Sequence, residues 1–145
     1  MFKHLLLPTD GTILSERAVL VGIELARTLG ARVSALHVSV PFQILTYQPE
    51  MLEDSRASYE RDRLVHAGRY LDFVAKAAVE RDVACETLME TRDDIYQAII
   101  DTAKARVCDL IVMASHGRRG IVGLLLGSQT QHVLTHSPIP VLVCR

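Results

Sequence analysis

The chain has 145 residues, 49% of them hydrophobic, with 16 Lys and Arg against 17 Asp and Glu, a formal net charge of −1 and a pI near 6.6. That is the length of one domain with apolar material for one core, and the balanced charge gives neither the basic footprint of a nucleic-acid binder nor a polybasic membrane patch. Three cysteines in apolar runs (Cys85, Cys108, Cys144) favour core filling in a reducing compartment over a disulfide framework. No apolar stretch approaches a membrane span, and MFKHLLLPTDG lacks a signal peptide's long apolar region. The expectation is one cytoplasmic domain over residues 1–145, with no membrane or nucleic-acid partner.

In chain order, Phe2 to Leu7 is a short apolar run stopped by Pro8, hence a strand. Ala18, Val21, Gly22, Leu25, Ala26 and Leu29 then recur at helical spacing over Ser15 to Leu29, and Gly30 is a helix stop. The β-branched stretch Ala31 to Val40 predicts a second strand, and Pro41 to Asp54 reads as an irregular loop. A second helix is expected over Ser55 to Arg81, a third strand over Val83 to Met89, and a third helix over Asp93 to Ala105. Leu110 to Ala114 is strand four, Ile121 to Thr135 a fourth helix, and Pro140 to Cys144 the closing strand.

Strands that alternate with helices predict a parallel sheet covered on both faces, because parallel neighbours require crossovers. FKHLLL and LIVMA are nearly continuous apolar runs, as befits central strands, while Pro138 and Pro140 put the last strand at an edge. With right-handed crossovers the order is 3-2-1-4-5, and its switch point lies between strands one and four. Two loops about a hundred residues apart should meet there: Pro8-Thr9-Asp10-Gly11, and the glycine-rich turn after Ala114.

The turn SHGRRG and the later pair Gly127-Ser128 have the chemistry of a phosphate cradle. Glycine backbone can approach anionic oxygens closely, and a helix N-terminus favours negative charge. Asp10 beside a polyphosphate would be repulsive without a cation, so its expected role is to hold Mg²⁺ or Mn²⁺; capping the first helix is a compatible alternative. Val38 offers apolar surface to a base, with the Met113–Ala114 backbone nearby to read its edge. Neither the Walker pattern nor GxGxxG occurs.

These features resemble the universal stress protein family, in its single-domain bacterial form and over essentially the whole chain. The family's ATP signature is Gly, two residues, Gly, nine residues, then Gly and Ser or Thr. It falls here on Ala114, Gly117, Gly127 and Ser128; HLLLPTDG, the LHV at 36–38 and HSPIPVLVCR are similar too. The resemblance implies a flavodoxin-like (Rossmann-like) fold, an ATP site lined by Pro8, Thr9, Asp10, Val38, Met113, Ala114, Gly117, Gly127, Ser128 and Gln129, and a homodimer through the last strand. That strand, IPVLVCR, is apolar and would be a pairing hazard if uncovered. One departure is Ala114, where the signature has Gly. A required positive φ would cost about 1–2 kcal/mol, whereas an extended strand end merely gains a methyl, and the run LIVMA favours the latter.

The functional expectation is ATP and metal binding with slow or no hydrolysis, since no base to activate water is evident and no catalytic residue is assigned. Two alternatives remain: an interaction module of the same fold with an empty site, and a phosphoryl- or adenylyl-transferring enzyme. His116 could touch phosphate or act as an acid, and Arg118 and Arg119 could reach the γ-phosphate or be solvated. His132 and His136 have helical metal-pair spacing but no evident third ligand, so exposure near a helix C-terminus is the competing reading. The loop with Phe42, Ile44, Leu45, Tyr47 and Met51 is expected to cover the site or a partner subunit.

Overall fold

The structure is a computed structural model that describes residues 1–42, 49–117 and 126–145, with the side chains of residues 49–52 and 54 left undescribed. Five parallel strands, β1 (His4–Pro8), β2 (Arg32–Ser39), β3 (Cys85–Thr91), β4 (Leu110–Ala114) and β5 (Val141–Cys144), form one sheet in the order β3-β2-β1-β4-β5. Four helices connect them: α1 (Ile13–Leu29), α2 (Pro49–Val79), α3 (Ile95–Ala105) and α4 (Ser128–His136). The strand order and the flavodoxin-like fold are as the sequence predicts.

Alternation along the strands divides the core into two layers. Leu5, Leu7, Val33, Ala35 and Val112 pack with Val19 and Ile23 of α1 and Leu71 and Val74 of α2. Leu6, Leu36, Ile111 and Met113 pack with Ile99 and Ala103 of α3 and Val133 of α4. Leu5, Leu6 and Leu7 are all fully buried, so β1 is covered on both faces; each such Leu contributes about 1.5–3 kcal/mol.

Helix ends differ from expectation where local chemistry outweighs periodicity. The first helix starts at Ile13 behind Thr12, whose side chain accepts from the Ser15 amide at 3.2 Å, and Gly30 ends it at φ 64°. The second begins at Pro49, inside the stretch expected to be loop. Proline suits a first helical turn because its fixed φ is helical and its missing N–H would be unpaired there. At 31 residues this helix spans roughly 46 Å and overhangs the strands, leaving residues 55–58 exposed. The third strand lies two residues later than predicted because Asp82 turns the chain at φ 54° and the Val83 amide still closes on the Ala78 carbonyl at 2.9 Å. The fourth helix begins at Ser128; residues 121–125 of the expected span lie outside the described ones.

A polar chain, buried at His4 and Ser34 and reaching the surface at Glu86, crosses three strands at the opposite end of the sheet from the β1–α1 loop. His4 Nε2 lies 2.7 Å from Ser34 Oγ, which donates to Glu86 Oε1 at 2.6 Å, and Arg106 reaches Glu86 Oε2 at 3.2 Å. Because the Ser34 proton goes to Glu86, His4 donates from Nε2, and its buried Nδ1 has no hydrogen-bond partner. Burial, then the Arg32 charge, holds the His4 pKa below its ordinary value, against weaker upward pulls that include Glu86 and Asp109. Burial pushes the nearby Cys108 thiol up to about 11, with Glu86 reinforcing it.

Candidate functional site

The loop after β1 is fixed by its own polar side chains. The Thr9 amide donates to the Leu36 carbonyl at 2.8 Å, and its hydroxyl accepts from the Gly11 amide at 3.2 Å and lies 3.1 Å from Ser15 Oγ. Asp10 Oδ1 accepts from both the amide of Thr12 at 3.0 Å and its hydroxyl at 2.6 Å. Thr12, not Asp10, is therefore the helix cap, and Asp10 orients the capping hydroxyl so that its lone pair meets the Ser15 amide.

Gly11 is required twice over. Its φ is 77°, and a Cβ there would lie 2.2 Å from Cε1 of Tyr70 on α2. His37 stands edge-on to that tyrosine with ring centroids 5.2 Å apart. Its Nδ1 lies 2.8 Å from the Thr9 carbonyl, which can only accept, so Nδ1 carries the proton. Tyr70 and His37 are absent from the sequence-based site; the glycine signals that something comes close, but not which helix supplies it.

On the other side of the crevice, Ala114 is the last residue of β4, 6% exposed and paired in register with Cys144. Its backbone is extended, so the departure from the signature costs no positive φ, and its carbonyl accepts from Thr130 Oγ1 at 2.9 Å. Ser115 is pinned through its amide to the Cys144 carbonyl at 2.8 Å, and its carbonyl accepts from the Gly127 amide at 2.6 Å. The Gly127 N–H is already used in closing the loop, and the backbone donors left for an anion begin at Ser128.

Gly127 is the N-cap of α4, with φ −70° and ψ 158° and no side chain to cap the first turn. A Cβ there would sit 3.2 Å from the His116 Cα and 3.3 Å from the Ser115 carbonyl oxygen, so glycine permits the loop ends to touch. Ser128 is exposed at the head of the helix. Gln129 turns toward α3, where its Oε1 accepts from the Tyr96 amide at 3.0 Å and supplies the cap that Asp94 does not.

The two loops meet. A Cβ on Gly117 would lie 2.9 Å from Asp10 Oδ2, which places the β4 turn against the β1 carboxylate across 107 residues of sequence. Met113 is buried on the α3–α4 face, and Val38, half-buried, packs into the same layer beside Leu88, Ile95 and Tyr96. Pro8, two residues beyond Leu6 in β1, shares that face. Apolar side chains, a carboxylate and a helix N-terminus thus follow the carboxyl ends of these strands, where the order β3-β2-β1-β4-β5 makes a crevice between β1 and β4. A separate open groove of about 500 Å³ runs along α2 between Leu64 and Lys76 and involves none of these residues.

His116 Nδ1 lies 3.0 Å from Ser115 Oγ. Arg118 and Arg119, like Ile44, Leu45 and Tyr47 of the β2–α2 loop, lie outside the described residues; Met51 lies within α2. Among the described residues no group of three or more His, Cys, Asp or Glu could hold a metal ion, and no helix is long and apolar enough to cross a membrane.

The sheet order and the crevice at its switch point define a doubly wound α/β protein of the flavodoxin-like class. The universal stress protein family model matches residues 1–145, and the chain belongs to that family. It is 34% identical over 145 residues to a universal stress protein of Thermus aquaticus, each chain covered completely. The solved structure of hypothetical protein MJ0577 is similar with a TM-score of 0.79 and 24% identity, over 99% of this chain and 95% of the other. The universal stress protein of Archaeoglobus fulgidus in complex with dAMP has a TM-score of 0.70 and 18% identity, over 100% and 98% of the two chains.

Proposed function

We propose that the protein binds ATP together with Mg²⁺ or Mn²⁺ at the crevice between β1 and β4, and turns it over slowly or not at all. The observation that carries this reading is the contact between Gly117 and Asp10, which sets a carboxylate beside the turn leading to the head of α4. The Ser128 and Gln129 amides and the Ser128 hydroxyl supply phosphate donors, with the helix dipole behind them. Pro8, Val38 and Met113 supply apolar surface to the base, and the Ala114 and Thr9 backbones border it. That a protein of the same fold was solved with dAMP supports an adenine nucleotide as the ligand.

The residues present suit this group. A nucleotide-bound divalent ion needs one or two protein carboxylates, since phosphate and water complete its oxygen shell, and Asp10 can supply one. The same carboxylate, committed to metal and to Thr12, is poorly placed to activate water. Bound nucleotide on this reading stabilises one conformation or assembly of a cytoplasmic, single-domain homodimer that pairs through β5, the edge strand, where Leu142 is 38% exposed.

Calorimetric titration with ATP, with and without Mg²⁺, tests the reading on wild type and Gly127→Ala. Saturable binding that Mg²⁺ strengthens and the substitution weakens is expected. No heat at millimolar ATP would leave an interaction module of the same fold, and rapid multiple-turnover product formation would make the protein an enzyme.

A further inference from the structure

We propose that His132 and His136, on the exposed side of α4, form a two-imidazole site for a borderline transition-metal dication such as Zn²⁺ or Ni²⁺. The two residues are one helical turn apart and both exposed. His136 Nδ1 lies 2.9 Å from the His132 carbonyl oxygen. A carbonyl only accepts, so Nδ1 carries a proton, and in the neutral ring Nε2 is left with the lone pair. This is the tautomer of a metal-ligating histidine, whose second nitrogen is held by a backbone oxygen.

Tyr96 restrains both rings from the neighbouring helix. Its ring stacks on His132 at 4.7 Å and 26° and lies 5.3 Å from His136 at 35°, while its own amide is held by Gln129. The imidazole centroids are 6.0 Å apart and inclined by 36°, a separation within the reach of one ion about 2.0–2.1 Å from a nitrogen of each ring. Water fills the remaining positions, since no third protein ligand stands among the described residues. Nitrogen donors select Zn²⁺, Ni²⁺ or Cu²⁺ over Mg²⁺, which prefers oxygen. Neither ligand is a residue assigned to nucleotide, and only Gln129, through its hold on the Tyr96 amide, is shared by the two sites.

Titrating nucleotide-free protein with NiCl₂ by calorimetry, and with ZnCl₂ while recording histidine ring resonances, tests the proposal. One ion should bind per chain, the His132 and His136 resonances should move together, and millimolar MgCl₂ should not compete. His132→Ala and His136→Ala should each weaken binding about tenfold or more, because one of two ligands is lost, while His66→Ala should leave it unchanged. Tyr96→Leu should weaken it less than either histidine substitution. Both histidines are on the surface, so melting curves like wild type will show that the variants fold. Absence of saturable Ni²⁺ binding, or binding by either histidine variant as tight as wild type, overturns the proposal.

Discussion

Replacing Gly117 with Ala probes the approach to Asp10 on which the proposed nucleotide site depends. The new methyl carbon would begin 2.9 Å from Asp10 Oδ2, inside ordinary van der Waals contact, so the carboxylate or the turn must yield by a few tenths of an ångström. Asp10 cannot swing away freely, since its other oxygen accepts two hydrogen bonds from Thr12. Rotating its side chain by about 30° costs roughly 0.5–1.5 kcal/mol, and giving up a hydrogen bond to the charged group costs about 1.5–3 kcal/mol. The metal-dependent part of ATP affinity should therefore fall by about 1–3 kcal/mol, roughly 5- to 150-fold. Calorimetry in Mg²⁺ and in EDTA reads this directly: the loss should be large in Mg²⁺ and small in EDTA. Gly68→Ala, where an added Cβ meets nothing within 4 Å, is the control and should leave affinity untouched. Equal losses with and without metal, or none, would refute the placement of metal at Asp10.

Val107, 78% exposed, is a β-branched residue at φ 56°, where L side chains are strained by about 1–2 kcal/mol. Val107→Gly relieves this against about 0.5–1 kcal/mol of added chain entropy, so thermal melting should show a net gain of about 0.5–1 kcal/mol, or roughly 1–4 °C; an unchanged or lower midpoint would count against the strain. His4 has a folded-state pKa below its ordinary value, so the unfolded chain takes up its proton first as pH falls. Stability from this group is present above the ordinary histidine pKa and lost as pH drops through the folded one; urea midpoints between pH 7.5 and 5 should decline less steeply in His4→Gln than in wild type. Cys108, with its thiol near 11 and 5% exposed, should resist iodoacetamide in the native protein at pH 7.5 and react on denaturation, as mass spectrometry will show.

The sheet was legible because its central strands announce themselves: Leu5 to Leu7 and Leu110 to Ala114 are apolar on both faces, and turn residues bound them. Loop placement followed from topology, since a 3-2-1-4-5 order brings the ends of β1 and β4 together whatever their sequences. Helix limits were less legible. The start of α2 carries Pro-Glu at its head but no apolar stripe in the sequence to mark it. Contacts between distant residues were least legible of all. Sequence spacing cannot show that Tyr70 closes over Gly11, that Gln129 caps α3, or that the Gly127 amide is used by Ser115, because each depends on how elements pack. Asp10 illustrates the same point at short range: the residue type suits both a cap and a ligand, and only the position of Thr12 shows that it is not the cap.

Backbone amide resonances followed during a Mg²⁺-ATP titration will show whether Mg²⁺-ATP sits between β1 and β4 against the head of α4. Saturable shifts should concentrate at Thr9 to Gly11, Val38, Ala114 to Gly117 and Ser128 to Thr130, with the α2 groove around Gly68 unmoved. Saturable shifts confined to that groove, or no shifts at millimolar nucleotide, would contradict that placement.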